Sequence, residues 1–208
     1  MTLRQLLIQR AARLQERPAL TAPAWSTLGY GAWRNRVEGL GLGLLADGTP
    51  PGAAVFARRG DAWDWAAEVA AACCGLRWDS EGQVMDPALF GGPRFNDEHG
   101  RRAYHDREEL VTAGTPFHRG LDQGEVMLRL QRWNRRLGWD HDTEVRVPLA
   151  RLPEPEVRAA LWNALYAGAH AVLTPGEEAP SKGWLGRLRR GGVAPSWDPG
   201  PFEGFWEA

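Results

Sequence analysis

"ERPALTAPAWSTLGYGAWRNRVEGLGLGLLADGTPPGAAVFARRGDAWDWAAEVAAACCGLRWD", residues 16–79, contains the pattern from which the fold can be predicted. Short apolar runs, which indicate strands, alternate in it with apolar residues at helical spacing. One helix is marked by the stripe Trp33, Val37, Leu40 and Leu44. Another runs between an N-cap at Asp61 and a C-cap glycine at Gly75. This alternation of helix and strand predicts an α/β fold, in which a layered sheet is flanked by helices.

The same alternation continues on both sides of this stretch. Before it, one face of a first helix carries Leu3, Leu7, Ala11 and Leu14. We predict one α/β domain, 1–208, with a helix/strand half at 1–78, an irregular, loop-rich segment at 79–120 and a second helix/strand half at 121–208. The middle segment is expected to hold short strands at 83–85 and 102–105. A basic helix at 181–192 and a short strand at 193–197 are expected near the end.

Composition excludes several classes of function. The formal net charge of −1 argues against a nucleic-acid binder or a polybasic membrane-surface protein. No apolar run approaches the roughly 18 residues of a membrane span, and the charged N-terminus lacks a signal-peptide core, so we expect a cytoplasmic protein. The two cysteines, Cys73 and Cys74, are adjacent in an alanine-rich run and are expected to be buried thiols, with a reactive pair as the alternative.

The segment "TAGTPFHRG", residues 112–120, is the strongest candidate for a binding loop. Small hydroxyl residues, two glycines and a basic side chain are typical of loops that hold a phosphate group with backbone N–H donors. However, Pro116, Phe117 and His118 stand where such a loop usually has glycine. A working phosphate site, a degenerate one and an ordinary turn all remain open at this point.

The order of elements resembles the N-terminal part of the adenylate-forming (AMP-binding) enzymes: acyl-CoA synthetases, luciferases and peptide-synthetase adenylation domains. "RPAL", "TLGYGAW" and "GTPPGAAV" stand where that superfamily has a "RPAL" strand, an "LTYxEL" step and a "GxxPGDxV" turn. Later, "VRVPLARLPEPEVRAALWNALYAGAHAVLTPGE" is similar to its "PLxHxxG…LLxGAxxVL" segment. The resemblance covers nearly the whole chain and implies the fold of the N-terminal subdomain.

Within that resemblance, residues 112–120 correspond to the phosphate loop "TSGTTGxPKG". About two residues and the inner glycine are missing, and Pro116 removes one N–H donor. The resemblance therefore implies no firmly held cofactor and at most weak ATP or AMP binding. The nucleotide-contacting residues that it implies are Thr112, Gly114, Thr115, Arg119 and Gly120.

The resemblance also sets the expectation for activity. We find no "YGxTE" motif, ribose-binding aspartate, hinge or catalytic lysine, and the single lysine, Lys182, precedes a predicted strand. We therefore expect a truncated, non-catalytic relative, a pseudoenzyme with no catalytic residues. Two alternatives stay open: a structural or interaction protein that acts as a homodimer, and one half of a split acyl-adenylating ligase completed by a partner protein. The aromatic tail at Phe202, Phe205 and Trp206 would either serve self-association or fold back as a local cover.

Two other polar clusters in the sequence are candidates for a site. His99, His105, Asp106, Glu108 and Glu109 match no recognisable metal-ligand spacing, so no metal site is expected. Arg129, Arg132 and Arg136 share one helical face, which is expected to be solvated, with partner or phosphate contact as the alternative.

Overall fold

The computed structural model of the chain describes residues 1–91, 98–175 and 200–207. Its helices are α1 (Leu3–Leu14), α2 (Tyr30–Ala46), α3 (Ala62–Cys73), α4 (Glu98–Leu110), α5 (Gln123–Leu137) and α6 (Pro155–Ala167). Its strands are β1 (Pro18–Ala22), β2 (Trp25–Gly29), β3 (Ala54–Phe56), β4 (Arg77–Trp78), β5 (Gln83–Val84), β6 (Pro116–His118), β7 (Leu121–Asp122), β8 (Glu144–Pro148) and β9 (His170–Thr174). Short 3-10 turns cover Pro87–Gly91, Leu149–Arg151 and Gly200–Phe202.

Capping residues determine where the helices begin and end. The Asp61 carboxylate accepts from the N–H of Trp63 at 2.8 Å and starts α3. Asp122 and Glu125 form a reciprocal capping box at the start of α5. Gly168 ends α6 in the left-handed conformation that favours glycine.

The strands form two sheets that share one hydrophobic core with the helices. The first sheet has the order β2-β1-β9-β8, in which β1, β9 and β8 are parallel and β2 is antiparallel to β1. The second has the order β5-β3-β4-β6-β7 and is parallel apart from the β6–β7 hairpin. The predicted α/β fold is thus confirmed, with two sheets where one layered sheet was expected. The carboxyl ends of β3, β4 and β6 meet at one edge of the second sheet.

The middle segment contains more regular structure than the sequence pattern predicts. The strand predicted at 83–85 is present as β5, but the strand predicted at 102–105 is wrong, because those residues lie in α4. Gly100 and Arg107 are the fully buried residues of this helix, and Ala103 and Tyr104 are partly buried against the core, so its apolar stripe is too short to indicate a helix. The Arg107 guanidinium donates to the carbonyl oxygens of Cys74 (3.0 Å) and Thr49 (2.8 Å) and holds α4 to the core.

The C-terminal tail folds back on the chain. Phe202, Phe205 and Trp206 are buried. The indole N–H of Trp206 donates to the carbonyl of Pro155 at 2.7 Å, and Arg129 donates to the carbonyl of Phe205. Of the two roles expected for these aromatic residues, the structure shows the local cover.

The arginine face of α5 is divided between two environments. Arg129 holds the tail, whereas Arg132 and Arg136 are exposed. The helix and strand predicted at 181–192 and 193–197, together with Lys182, lie outside the described residues.

Both cysteines are free and buried, as the sequence predicts. Burial raises the pKa of both thiols, that of Cys74 to about 12. A Cβ atom added at Gly41 would come within 2.9 Å of the Cys74 sulfur, so α2 and α3 can approach only because residue 41 has no side chain. Among the helices described, none combines the length and the apolar character needed to cross a membrane.

Candidate ligand-binding cavity

A cavity of about 610 Å³ lies where the parallel strands of the second sheet end. Its lining includes Ala57 and Arg58 after β3, Asp79 and Ser80 after β4, and Arg119 and Gly120 after β6. In open α/β sheets, ligands bind in the crevice outside the carboxyl ends of the strands. The strand order alone therefore makes this cavity the first candidate for a ligand site.

Arg119 and Gly120 form the two-residue turn of the β6–β7 hairpin. Their φ angles are 50° and 79°, the pair of positive values that a type I′ hairpin turn requires. Glycine adopts such angles freely, but arginine does so at a cost. Among the described residues, Arg119 is the one non-glycine residue in this left-handed region. The turn holds the backbone of Arg119 at the mouth of the cavity.

The first half of the predicted loop lies at the opposite end of β6. Thr112 and Thr115 close a turn, in which the N–H of Thr112 donates to the Thr115 hydroxyl at 2.9 Å. The N–H of Gly124 donates to the carbonyl of Ala113 at 2.7 Å and ties this turn to α5. The described lining of the cavity includes Arg119 and Gly120, but not Thr112, Gly114 or Thr115. The structure therefore brings two of the five predicted contact residues to the cavity.

Positive charge dominates the cavity wall. The described residues of its lining include four arginines, Arg58, Arg77, Arg119 and Arg158, and two aspartates, Asp64 and Asp79. Asp64 is buried and accepts from the backbone N–H groups of Arg59 and Gly60, both at 2.8 Å, so it fixes the loop after β3. The wall is thus suited to an anionic ligand.

Arg158 is the buried arginine of the wall, and its charge is already paired. Its guanidinium lies 3.1 Å from a carboxylate oxygen of Glu68 and donates to the carbonyl of Leu152 at 2.6 Å. The indole N–H of Trp162 donates to the other Glu68 oxygen at 2.7 Å. Burial lowers the pKa of Arg158, and the nearby Glu68 opposes that shift. A ligand would therefore be attracted mainly by the exposed arginines, Arg58, Arg77 and Arg119.

His118 is a cavity residue that the sequence analysis did not assign to the site. Its Nδ1 lies 2.8 Å from the carbonyl oxygen of Trp78 on the neighbouring strand. Its ring packs edge-on against Trp206, with the ring centroids 4.6 Å apart. Arg58, Arg77 and Arg158 were also missed. The signal that could have found Arg58 is its place two residues after a predicted strand.

No family model matches the sequence, and no curated protein sequence matches it. Solved structures do. The N-terminal domain of FACL13 from Mycobacterium tuberculosis superposes with a TM-score of 0.62 at 12% identity, over 86% of this chain and 58% of that one. The N-terminal subdomain of NpsA from Klebsiella oxytoca, solved with 3-hydroxyanthranilyl-AMSN, gives 0.57 at 13%, over 84% and 53%.

A third solved structure, o-succinylbenzoate CoA synthetase from Bacillus subtilis, gives a TM-score of 0.56 at 15% identity, over 81% of this chain and 43% of that one. The chain thus spans less than two thirds of the length of each of these three proteins. At such identities the likeness establishes the fold. This chain has the fold of the N-terminal domains of acyl-CoA ligases and of nonribosomal peptide synthetase adenylation proteins.

Proposed function

We propose that this chain is a non-catalytic, AMP-binding-like protein that binds a small anionic ligand, a nucleotide or an acyl anion, weakly in the cavity. One observation carries the proposal. Arg119, from the loop that resembles a phosphate loop, lies at the cavity mouth beside the carboxyl ends of three parallel strands. This is the edge of the sheet where α/β proteins bind their ligands.

The way in which the cavity presents its charge supports weak binding. A phosphate loop works because several backbone N–H groups converge on one oxyanion. Here two residues join β6 to β7, and the Thr115 hydroxyl is used by the turn at the other end of β6. The anion would be held by exposed guanidinium groups, and exposed ion pairs contribute about 0–1 kcal/mol each. We therefore expect a dissociation constant on the order of a millimolar.

The same geometry supports the absence of catalysis. Transfer of AMP from ATP to a carboxylate, with release of pyrophosphate, needs donors positioned on the charge that develops at the α-phosphate. Arg158, the buried arginine of the cavity wall, is already paired with Glu68, so its charge is not available to an α-phosphate. The exposed arginines stand in water, where their charges are screened and their side chains are not held in one geometry.

Calorimetric titration of the full chain with AMP, ATP and an acyl-sulfamoyl adenosine tests the binding proposal. We expect saturable binding in the millimolar range, weakened at least about fivefold in an Arg58→Gln/Arg119→Gln variant, which corresponds to about 1 kcal/mol. Arg132→Gln is the matched control, because Arg132 is exposed on α5 and does not line the cavity. No binding of any of the three at millimolar concentration would remove the proposal.

Pyrophosphate exchange tests the catalytic part separately. We expect no exchange above background with ATP and a panel of carboxylic acids. Exchange by the purified chain would overturn the non-catalytic assignment. Exchange that needs a lysate fraction would favour the split-ligase alternative.

The homodimer and the cytoplasmic location stay predictions. The tail aromatics are buried against their own chain, so they offer no free surface for self-association. Light scattering tests the oligomeric state directly, and a strictly monomeric protein would remove the homodimer.

A further inference from the structure

We propose that His118 and Arg119 act together as a two-point recognition pair, so that the preferred ligand of the cavity carries a hydrogen-bond donor next to its anionic group. This inference rests on the proposed function, because it requires that the cavity binds an anion. It adds the chemical class of the ligand and assigns His118 to specificity.

The hydrogen bond to Trp78 determines which nitrogen of His118 can accept. A carbonyl oxygen only accepts, so Nδ1, 2.8 Å from the Trp78 oxygen, must carry the proton and donate. In the neutral ring, Nε2 then has no proton and is an acceptor. Among the described residues, no hydrogen bond engages this nitrogen. His118 lines the cavity and is half-buried. Its Nε2 can therefore accept a hydrogen bond from a hydroxyl or amino group of a ligand in the cavity.

The ring is held in place by the C-terminal tail. Trp206 meets the imidazole at an interplanar angle of 90°, and the indole N–H of Trp206 is bonded to the carbonyl of Pro155. Pro155 itself lines the cavity. The imidazole is thus restrained by Trp78 through Nδ1 and by Trp206 through its ring. Such restraint lowers the entropic cost of accepting a ligand hydrogen bond.

Arg119 supplies the other contact point, and its backbone conformation argues that its side chain has a role. With φ at 50° and a following glycine, the position favours asparagine or glycine in a type I′ turn. Non-glycine residues held in the left-handed region cluster at ligand-binding positions, where a conformational cost is retained for function. Among the described residues, no hydrogen bond or ion pair engages its guanidinium. The charge is therefore available to a phosphate or a carboxylate.

The test uses ligand pairs that differ only in hydroxyl groups. Glycerol 3-phosphate is compared with propyl phosphate, and glycerate with propanoate, by NMR titration of the full chain. We expect the hydroxylated member to bind at least about fivefold more tightly, a difference of about 1 kcal/mol. The arm with the tighter binding identifies the anion as phosphate or carboxylate.

Two variants separate recognition from folding. His118→Phe keeps an aromatic ring against Trp206 and removes the acceptor, so it should abolish the preference within each pair while propyl phosphate or propanoate still binds. Arg119→Asn should weaken both members of each pair and raise the thermal midpoint, because asparagine tolerates the left-handed conformation. A loss of binding that accompanies a gain in stability cannot come from misfolding.

Three results would overturn the inference, and they can be told apart from failure of the proposed function. Equal affinity for the two ligands of each set in the wild type would contradict recognition by His118 and Arg119 together. An unchanged preference in His118→Phe would do the same, and both results leave anion binding intact. Unchanged affinity of Arg119→Asn for all four ligands would show that Arg119 does not contact the anionic group. No binding of any of the four anions, or of AMP, removes the proposed function and this inference with it.

Discussion

The carboxylate of Glu68 lies 3.1 Å from the guanidinium of Arg158, and both side chains are almost completely sealed from solvent. The pair joins α3 to α6. Trp162 donates a hydrogen bond to the other Glu68 oxygen, and the guanidinium of Arg158 donates one to the carbonyl of Leu152. Buried charges are tolerated only when they are paired and hydrogen-bonded in this way. The pair therefore determines both the stability of this region and the charge that a ligand meets.

Glu68→Gln should destabilise the protein strongly. The change removes the carboxylate that faces the buried Arg158 guanidinium and leaves Asp64 as its acidic neighbour. Breaking a buried pair costs about 3–5 kcal/mol. Urea unfolding measures the effect. The control is Glu38→Gln, which breaks the half-exposed Arg34–Glu38 pair at 2.7 Å and should cost about 0.5 kcal/mol. Equal effects of the two changes would contradict the account of the buried pair.

Gly100→Ala should loosen the docking of α4. A Cβ atom at residue 100 would come within 2.6 Å of the carbonyl oxygen of Leu42 on α2, so the helices must separate. Overpacking of this kind costs about 1–3 kcal/mol. Thermal unfolding reports the loss, and Arg101→Ala, on the exposed side of the same helix, is the control that should leave the midpoint nearly unchanged.

Trp206→Ala should destabilise the tail and the wall of the cavity. Truncation of a buried tryptophan costs about 3–5 kcal/mol, and this one also donates to the Pro155 carbonyl. Trp206→Phe keeps much of the ring contact with His118 but loses the hydrogen bond. It should therefore lower the free energy of unfolding by about 1 kcal/mol, less than the alanine change does. If denaturant unfolding shows no loss in the alanine variant, the tail does not contribute as its burial indicates.

His170 should make stability depend on pH below neutrality. Burial lowers its pKa from the ordinary value of 6.5, while Glu144, with an oxygen 3.6 Å from Nδ1, partly opposes the shift. The unfolded chain therefore binds a proton at a higher pH than the folded chain does. The contribution to stability is complete above about pH 6.5 and is lost as the pH falls through the folded pKa.

The measurement is the free energy of unfolding in urea between pH 7.5 and 5.5, for the wild type and for His170→Gln. Below pH 6.5 the wild type should lose more stability than the variant. A parallel decline in both proteins would show that other groups, mainly carboxylates, account for the change.

The elements that the sequence predicted are those with a strong apolar pattern. The stripe on α2 is an example, since Trp33, Val37, Leu40 and Leu44 are all buried. Helix α4 was not predicted because its apolar contacts are few: Ala103 and Tyr104 pack against the core, and the close approach of Gly100 and the buried Arg107 complete its docking. The number of sheets also could not be predicted, because strand order depends on contacts between distant segments.

The site was predicted only in part, for a related reason. Arg119 and Gly120 are predicted as contact residues through the resemblance of 112–120 to a phosphate loop, and the structure places both in the cavity lining. Arg77 and His118 come together there because β4 and β6 are neighbours in the sheet, a pairing that spans 40 residues between Trp78 and His118. Strands of two or three residues carry too little pattern to reveal such a pairing.

The buried thiols are native reporters of local opening in this molecule. Cys73 and Cys74 are sealed beneath α2, and only the deprotonated sulfur reacts with alkylating reagents. Modification of the native protein must then wait for an opening that exposes α3. The rate at which iodoacetamide labels the chain will therefore report on the opening of the centre of the molecule, and no residue has to be substituted to introduce a reactive group.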